Sequence, residues 1–324
     1  MEEHRILITG GVGYVGGALT DYLIKNYPKI DFLVYDNLTF ERDFRKPIKF
    51  INGDIQDTVK LKKVINDFDP TAIIWLAGRV GDGACAINPE ITMEENVTTV
   101  EWLADNYNGR IIYPSSCSVY GKGDGILTEE SETNPLSLYA ITKLKCEEIL
   151  KNKNCVMFRL GTLFGISDTY SRIRLDLVVN ILSLKAQRNE PLTVFGGEQW
   201  RPLLHVRDAA KAMAEAAINH EFPIGIYNIA HKNMTIKEVA EEIKNVSNKN
   251  VEIHYSDINF EDARNYRAST EKYDNTPGAV SFNISVKDGA YEIIKLLEEG
   301  RVKNPFKNVY HNARFTKEVI ENGK

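Results

Sequence analysis

Apolar positions in the first half of the chain fall in short runs, and between the runs they recur every three or four residues. The runs are Ile6–Thr9, Phe32–Asp36, Ile48–Asn52, Ala72–Leu76, Arg110–Pro114 and Val156–Leu160. Their length and β-branched content predict six strands. The spacing in Ala18–Tyr27, Thr58–Phe68, Ile91–Tyr107 and Pro135–Leu150 predicts helices between them, with Asn134 as a cap and Pro135 in the first turn of the last. Strand and helix in alternation imply an α/β fold, a doubly wound parallel sheet of the Rossmann kind with right-handed crossovers. Beyond Leu160 the alternation lapses. Helical spacing over Asp176–Gln187, Arg207–Asn219, Thr235–Asn248 and Ser285–Glu299, with short strands near Leu192–Phe195, Ile226–Ile229 and Val251–Tyr255, predicts a smaller mixed lobe. The expected division is residues 1–163 for the sheet domain and 164–324 mainly for the lobe, with some segments returning to the first domain and a ligand cleft between the two.

The first apolar run breaks into Gly10-Gly11-Val12-Gly13-Tyr14-Val15-Gly16-Gly17 and then into helical spacing. Strand, glycine turn and helix in that order form an anion cradle, because the helix start offers unpaired amides and a positive dipole end. A glycine turn alone is weak evidence. The second run, however, ends in Asp36, twenty residues beyond Gly16, where a dinucleotide fold places the carboxylate that binds the adenosine ribose. A carboxylate there repels a 2'-phosphate, so the expected cofactor is NAD rather than NADP. Asp54 follows the third run, either to accept from the adenine amino group or to cap the next helix. Leu76-Ala77-Gly78 closes the fourth with small residues over which a dinucleotide can pass. Asn96 either ties neighbouring loops together or is an exposed helix residue.

Composition narrows the classes of partner. The 324 residues are 43% hydrophobic and 26% charged, the balance of an ordinary globular protein. A net charge of −5 with dispersed basic residues argues against a nucleic-acid surface. No apolar run is long enough to span a membrane, and Met1–Arg5 lacks a signal peptide's apolar region, so a cytoplasmic location is expected. Cys85, Cys117, Cys146 and Cys155 are widely spaced, suggesting neither a metal site nor a disulfide framework.

The candidate chemistry lies in Ser115-Ser116-Cys117-Ser118-Val119-Tyr120-Gly121, at the end of the fifth run, and in the helix after it, which carries Tyr139 and Lys143. Four residues apart, the two side chains share one helix face, where an ammonium favours the phenolate. Serines at a strand end also satisfy loop backbone, and a tyrosine–lysine pair is common on solvated helices.

Taken with the glycine turn, Asp36 and Tyr139-Ala140-Ile141-Thr142-Lys143, these motifs resemble the extended short-chain dehydrogenases/reductases, nearest to the nucleotide-sugar epimerase and dehydratase branch typified by UDP-glucose 4-epimerase. Arg201-Pro202-Leu203-Leu204-His205-Val206-Arg207-Asp208 extends the likeness, which reaches to about Lys272. The resemblance implies Tyr139 as acid/base, Ser116 as its partner on the sugar oxygen, and Lys143 on the nicotinamide ribose. It implies Gly10, Gly13, Tyr14 and Val15 under the pyrophosphate, with Asp36 and Asn37 at the adenosine ribose. Asp54 and Ile55 would flank the adenine, Leu76, Ala77, Gly78 and Asn96 the middle of the cofactor, and Leu160 the nicotinamide end. Arg201 would bind the diphosphate of a nucleotide sugar; the epimerases' second phosphate arginine has no aligned counterpart, and Arg264 or Arg267 is offered in its place. A homodimer through Ile91–Tyr107 and Pro135–Leu150 is implied as well.

Three departures from the branch matter. Cys117 and Ser118 stand where the 4,6-dehydratases carry an Asp-Glu pair, so dehydration lacks its machinery. Thr162 replaces the usual asparagine, and Cys117 reads as a small packing residue because the catalytic cysteine of some relatives falls one position later. His205 reads as a packed structural histidine and Arg207 as a surface or helix-start charge. The expected activity is an NAD-dependent epimerase inverting a sugar carbinol, at C4, through a transient ketone. A net oxidoreductase of a keto-sugar nucleotide and a catalytically silent NAD-binding protein are the alternatives.

Overall fold

A computed structural model describes residues 4–41, 44–256 and 264–321. Its centre is a parallel sheet in the order Gly225–Ile229, Cys155–Leu160, Arg110–Ser116, Ala72–Trp75, Arg5–Thr9, Asp31–Asp36, Phe50–Asn52. The strands are near-continuously apolar because both faces are covered. Ile6, Ile8, Val34, Ile74, Ile112 and Phe158 point to one core, while Leu7, Leu33, Tyr35, Ile73, Ile111 and Tyr113 point to the other. Helices Thr58–Phe68, Thr99–Asn106 and Leu138–Leu150 close the second core; Tyr14–Asn26 and Val206–Ile218 close the first.

The six expected strands are all present. The Ile226–Ile229 run, assigned from sequence to the lobe, instead joins the main sheet as a seventh strand beside Cys155–Leu160. The alanine-rich Val206–Ile218 helix precedes it and lies on Tyr14–Asn26, its small side chains permitting close approach. Pattern alone could not place a five-residue strand, because pairing partners are not encoded in periodicity. Other boundaries moved for local reasons. The catalytic helix begins at Leu138 with Ser137, not Asn134, as cap, its hydroxyl accepting from Ala140 N at 3.2 Å, and Pro135 lies outside it. The long Ile91–Tyr107 helix is broken by a π-type turn over Glu94–Thr98. Thr235 and Ser285 both form the reciprocal caps their sequences signalled.

The lobe is built by helices Val178–Gln187, Ile236–Ser247 and Val286–Glu298 around Leu192, Val194 and Leu203. No helix among the described residues is long and apolar enough to cross a membrane. All four cysteines are buried and unbridged.

A buried ion pair fixes the sheet to the catalytic helix. Glu147 accepts from Arg159 Nε at 3.0 Å and Nη2 at 2.7 Å and from the Ser115 hydroxyl, and both charged side chains are less than 5% exposed. Arg159 Nη1 donates to Tyr120 Oη at 2.9 Å, whose own hydroxyl donates to Asn228 Oδ1 at 2.8 Å. Arg159→Met is expected to destabilise the chain by about 3–5 kcal/mol in urea unfolding, because it strands a buried carboxylate. Combining it with Glu147→Leu should recover most of the loss, and a double variant no better than the single would contradict this account.

Candidate functional site

The strand order reverses between Arg5–Thr9 and Ala72–Trp75, and the two strand ends diverge there to open a crevice. A cavity of ≈ 920 Å³ occupies it and runs into the lobe. Gly10 opens the turn at φ +67°; a Cβ there would stand 2.6 Å from Ala77 N. Gly16 lets the first helix approach, since a Cβ on it would lie 2.5 Å from Gly11 backbone. That helix starts at Tyr14 after Gly13, which supplies no side-chain cap, so its first amides face the cavity without a protein acceptor of that kind. The cradle therefore fits a dinucleotide's diphosphate.

Asp36 ends the second strand, its carboxylate accepting from Val12 N at 3.1 Å and Leu38 N at 2.9 Å. Burial pushes its carboxyl up, against the pull of these two amides. Asn37 donates to Asp54 Oδ2 at 2.8 Å, and Asp54 also accepts from Gln56 N. The helix-cap reading of Asp54 is thereby corrected: Asp57, accepting from Lys60 N, caps Thr58–Phe68. Ile55, Leu76, Ala77, Gly78 and Leu160 line the same wall. Asn96 sits behind it. Its side chain accepts from Arg79 N at 2.7 Å and donates to Arg79 O at 2.9 Å, so it holds the loop that follows Gly78 at the cavity wall.

Ser116, Tyr139, Lys143 and Thr162 meet at the middle of the cavity. Ser118 donates to Ser116 Oγ at 2.8 Å, and Ser116 hydrogen-bonds the Tyr139 hydroxyl. Lys143 Nζ donates to Pro114 O at 2.7 Å and lies 5.8 Å from the Tyr139 ring centre. This ammonium is the group expected to favour the phenolate, and in the chain by itself burial works against it. Burial, with Cys85 and Asp82 adding to it, holds the Tyr139 phenol above its ordinary value of 10. Burial likewise brings Lys143 down from 10.5 to about 8. Desolvation works against both charged forms.

Arg201 is 2% exposed on the Trp200–His205 strand and donates to Trp200 O and to Arg264 O. Arg264 lines the cavity and pairs with Asp82 at 3.0 Å, whereas Arg267 stacks on Trp200 outside it. Position therefore favours Arg264. Sequence reading missed Asp82, which also accepts from Ser137 Oγ at 2.6 Å and so links the arginine to the cap of the catalytic helix. It missed Ser118, Arg172, Arg174 and the C-terminal helix Asn312–Glu321 as well. Cys117 is fully buried, its thiol donating to Arg159 O and pushed up by burial, as a packing residue should be. His205 is buried too, accepting from Arg207 N at the start of its helix and contacting Glu292 at 2.7 Å. No cluster of metal-binding side chains occurs among the described residues.

A cradle of this kind, at the switch point of a parallel sheet, defines a dinucleotide-binding α/β protein. Residues 6–230 match the family model "NAD dependent epimerase/dehydratase family", and the chain belongs to that family, with NAD as its cofactor. Among its relatives is the UDP-glucose 4-epimerase of Rhizobium meliloti, 26% identical over 301 residues, 84% of this chain and 90% of that one. The dTDP-glucose 4,6-dehydratase of Escherichia coli is 27% identical over 263 residues, 71% and 72% of the two chains. The structure of a UDP-glucose 4-epimerase from Thermotoga maritima superposes with a TM-score of 0.78 over 92% of this chain and 99% of its own, at 20% identity.

Glu41 stands at the cavity wall, accepting from Arg172 N at 2.8 Å. Burial lifts its carboxyl from 4.5 to about 8, against the lowering pull of Arg172. The unfolded chain releases this proton near pH 4.5 and the folded chain near 8, so folding loses stability as pH rises across that window. Glu41→Gln should flatten this part of the profile, raising stability above pH 8 relative to the parent. Parallel thermal-unfolding profiles for the two proteins from pH 5 to 9 would refute the assignment.

Proposed function

We propose that the protein is a nucleotide-sugar epimerase that inverts a carbinol, at C4 of the sugar, through a transient ketone. The observation that carries the reading is the convergence of Ser116, Tyr139 and Lys143 in one cavity that runs from the glycine cradle to Arg201 and Arg264. Gly10, Gly13, Tyr14 and Val15 hold the pyrophosphate of NAD; Asp36, Asn37, Asp54 and Ile55 hold its adenosine end. Leu76, Ala77, Gly78, Lys143 and Leu160 flank the rest, with Asn96 in support. NAD bound there supplies a two-electron acceptor and donor and a positive charge beside the phenol.

Tyr139, half-buried at the cavity wall, is helped by that added charge toward the phenolate, which then removes the carbinol proton. Ser116 is oriented by the Ser118 hydroxyl and donates to the same sugar oxygen. After the ketone has turned in the chamber, Tyr139 returns the proton to the opposite epimer. Lys143 fixes the ribose and balances charge. Arg201 and Arg264 hold the substrate diphosphate while the sugar rotates, with Thr162 at the ring. The absence of an Asp-Glu pair favours epimerisation over elimination: Cys117 is sealed from the cavity, and the Ser118 hydroxyl is no acid at neutral pH. A homodimer through the outward faces of Thr99–Asn106 and Leu138–Leu150, where Ile141 is exposed, completes the proposal.

Purified enzyme offered UDP-, GDP-, CDP- and dTDP-sugars should convert at least one to its epimer with no net consumption of NAD. Tyr139→Phe should lower that turnover by about 10²–10⁴-fold while NAD still binds. Unchanged turnover in the variant, or a dehydrated product, would defeat the reading.

A further inference from the structure

Segment Ser171–Asp176 packs against the glycine turn. Ser171 Oγ donates to Val12 O at 3.2 Å, and the Arg174 guanidinium lies 6.0 Å from the Tyr14 ring centre. Arg172, between them, faces the cavity with its side chain 8% exposed. Its Nη1 donates to Val309 O at 2.7 Å and its Nη2 to Asn312 Oδ1, which leaves the buried Nε without a hydrogen-bond partner. Arg174 is matched by Asp176 in a two-pronged pair. Arg172 pairs with Glu41 at 3.7 Å, and the Asp176 carboxylate also acts on its charge. A guanidinium at the cavity wall thus keeps one donor, its Nε, without an acceptor in the chain.

The Asn312–Glu321 helix, beyond the residues matched by the family model, spans the same opening. Asn312 anchors one end, donating to Asp176 Oδ2 at 2.9 Å and to Val80 O at 3.1 Å. Phe315 packs on Phe40, just past the ribose-side residues Asp36 and Asn37. Ala313, Thr316 and Val319, on one helix face, line the cavity. Thr316 is 2% exposed, and its hydroxyl also has no partner.

We infer that Arg172 and Thr316 form a second, roof-side half of the NAD site, Arg172 meeting the anionic diphosphate and Thr316 adding a hydroxyl contact beside it. The C-terminal helix thus retains the cofactor between turnovers. This rests on NAD binding and not on the epimerase reading, and a binding measurement separates the two.

NAD affinity is measured by calorimetry on the full chain, alongside thermal unfolding without ligand. Arg172→Gln should weaken NAD about tenfold or more, and Arg172→Lys, which restores the charge, should return most of the affinity. Thr316→Val, nearly isosteric, should cost about fivefold with unchanged unfolding of the unliganded chain, and it decides the matter if Arg172→Gln fails to fold. Parent-like affinity in Thr316→Val, or equal losses in Arg172→Lys and Arg172→Gln, overturns the inference.

Discussion

A carboxylate sealed between a helix and a sheet is tolerable only if its charge is met on the spot, and Glu147 meets Arg159 there in a forked, doubly hydrogen-bonded pair. Around that pair the site is assembled. The strand carrying Ser116, the helix carrying Tyr139 and Lys143, and the strand ending in Leu160 all contribute a member or a hydrogen bond to it. Through Tyr120 it reaches Asn228, and so the edge strand that arrives from the second half of the chain. Burial makes the network rigid, because any member that moves leaves a charge or hydroxyl unsatisfied in a low-dielectric interior.

The same low dielectric governs the chemistry. Burial drives Tyr139 and Lys143 each toward its neutral form. The resting chain carries a protonated tyrosine beside a serine already oriented by Ser118. In the proposed reaction, the positive charge of NAD would favour the phenolate and couple readiness for reaction to occupancy of the cradle. Arg264, Asp82 and Ser137 link the lobe to the cap of the catalytic helix in the same spirit. In the proposed reaction, a substrate diphosphate that drew Arg264 away from Asp82 would act on that cap as well.

The sequence by itself determined the parallel sheet, the glycine turn at its first strand end, Asp36, and the serine, tyrosine and lysine. Each is legible because it follows a local rule: strand and helix periodicity, the backbone freedom of glycine at Gly10, the fixed spacing of a helix face. Only the tertiary structure decided that Ile226–Ile229 joins the main sheet, that Arg264 rather than Arg267 reaches the cavity, and that Asn312–Glu321 roofs it. Pairing partners, distances and desolvation are properties of the packed chain, and no local pattern of residues encodes them.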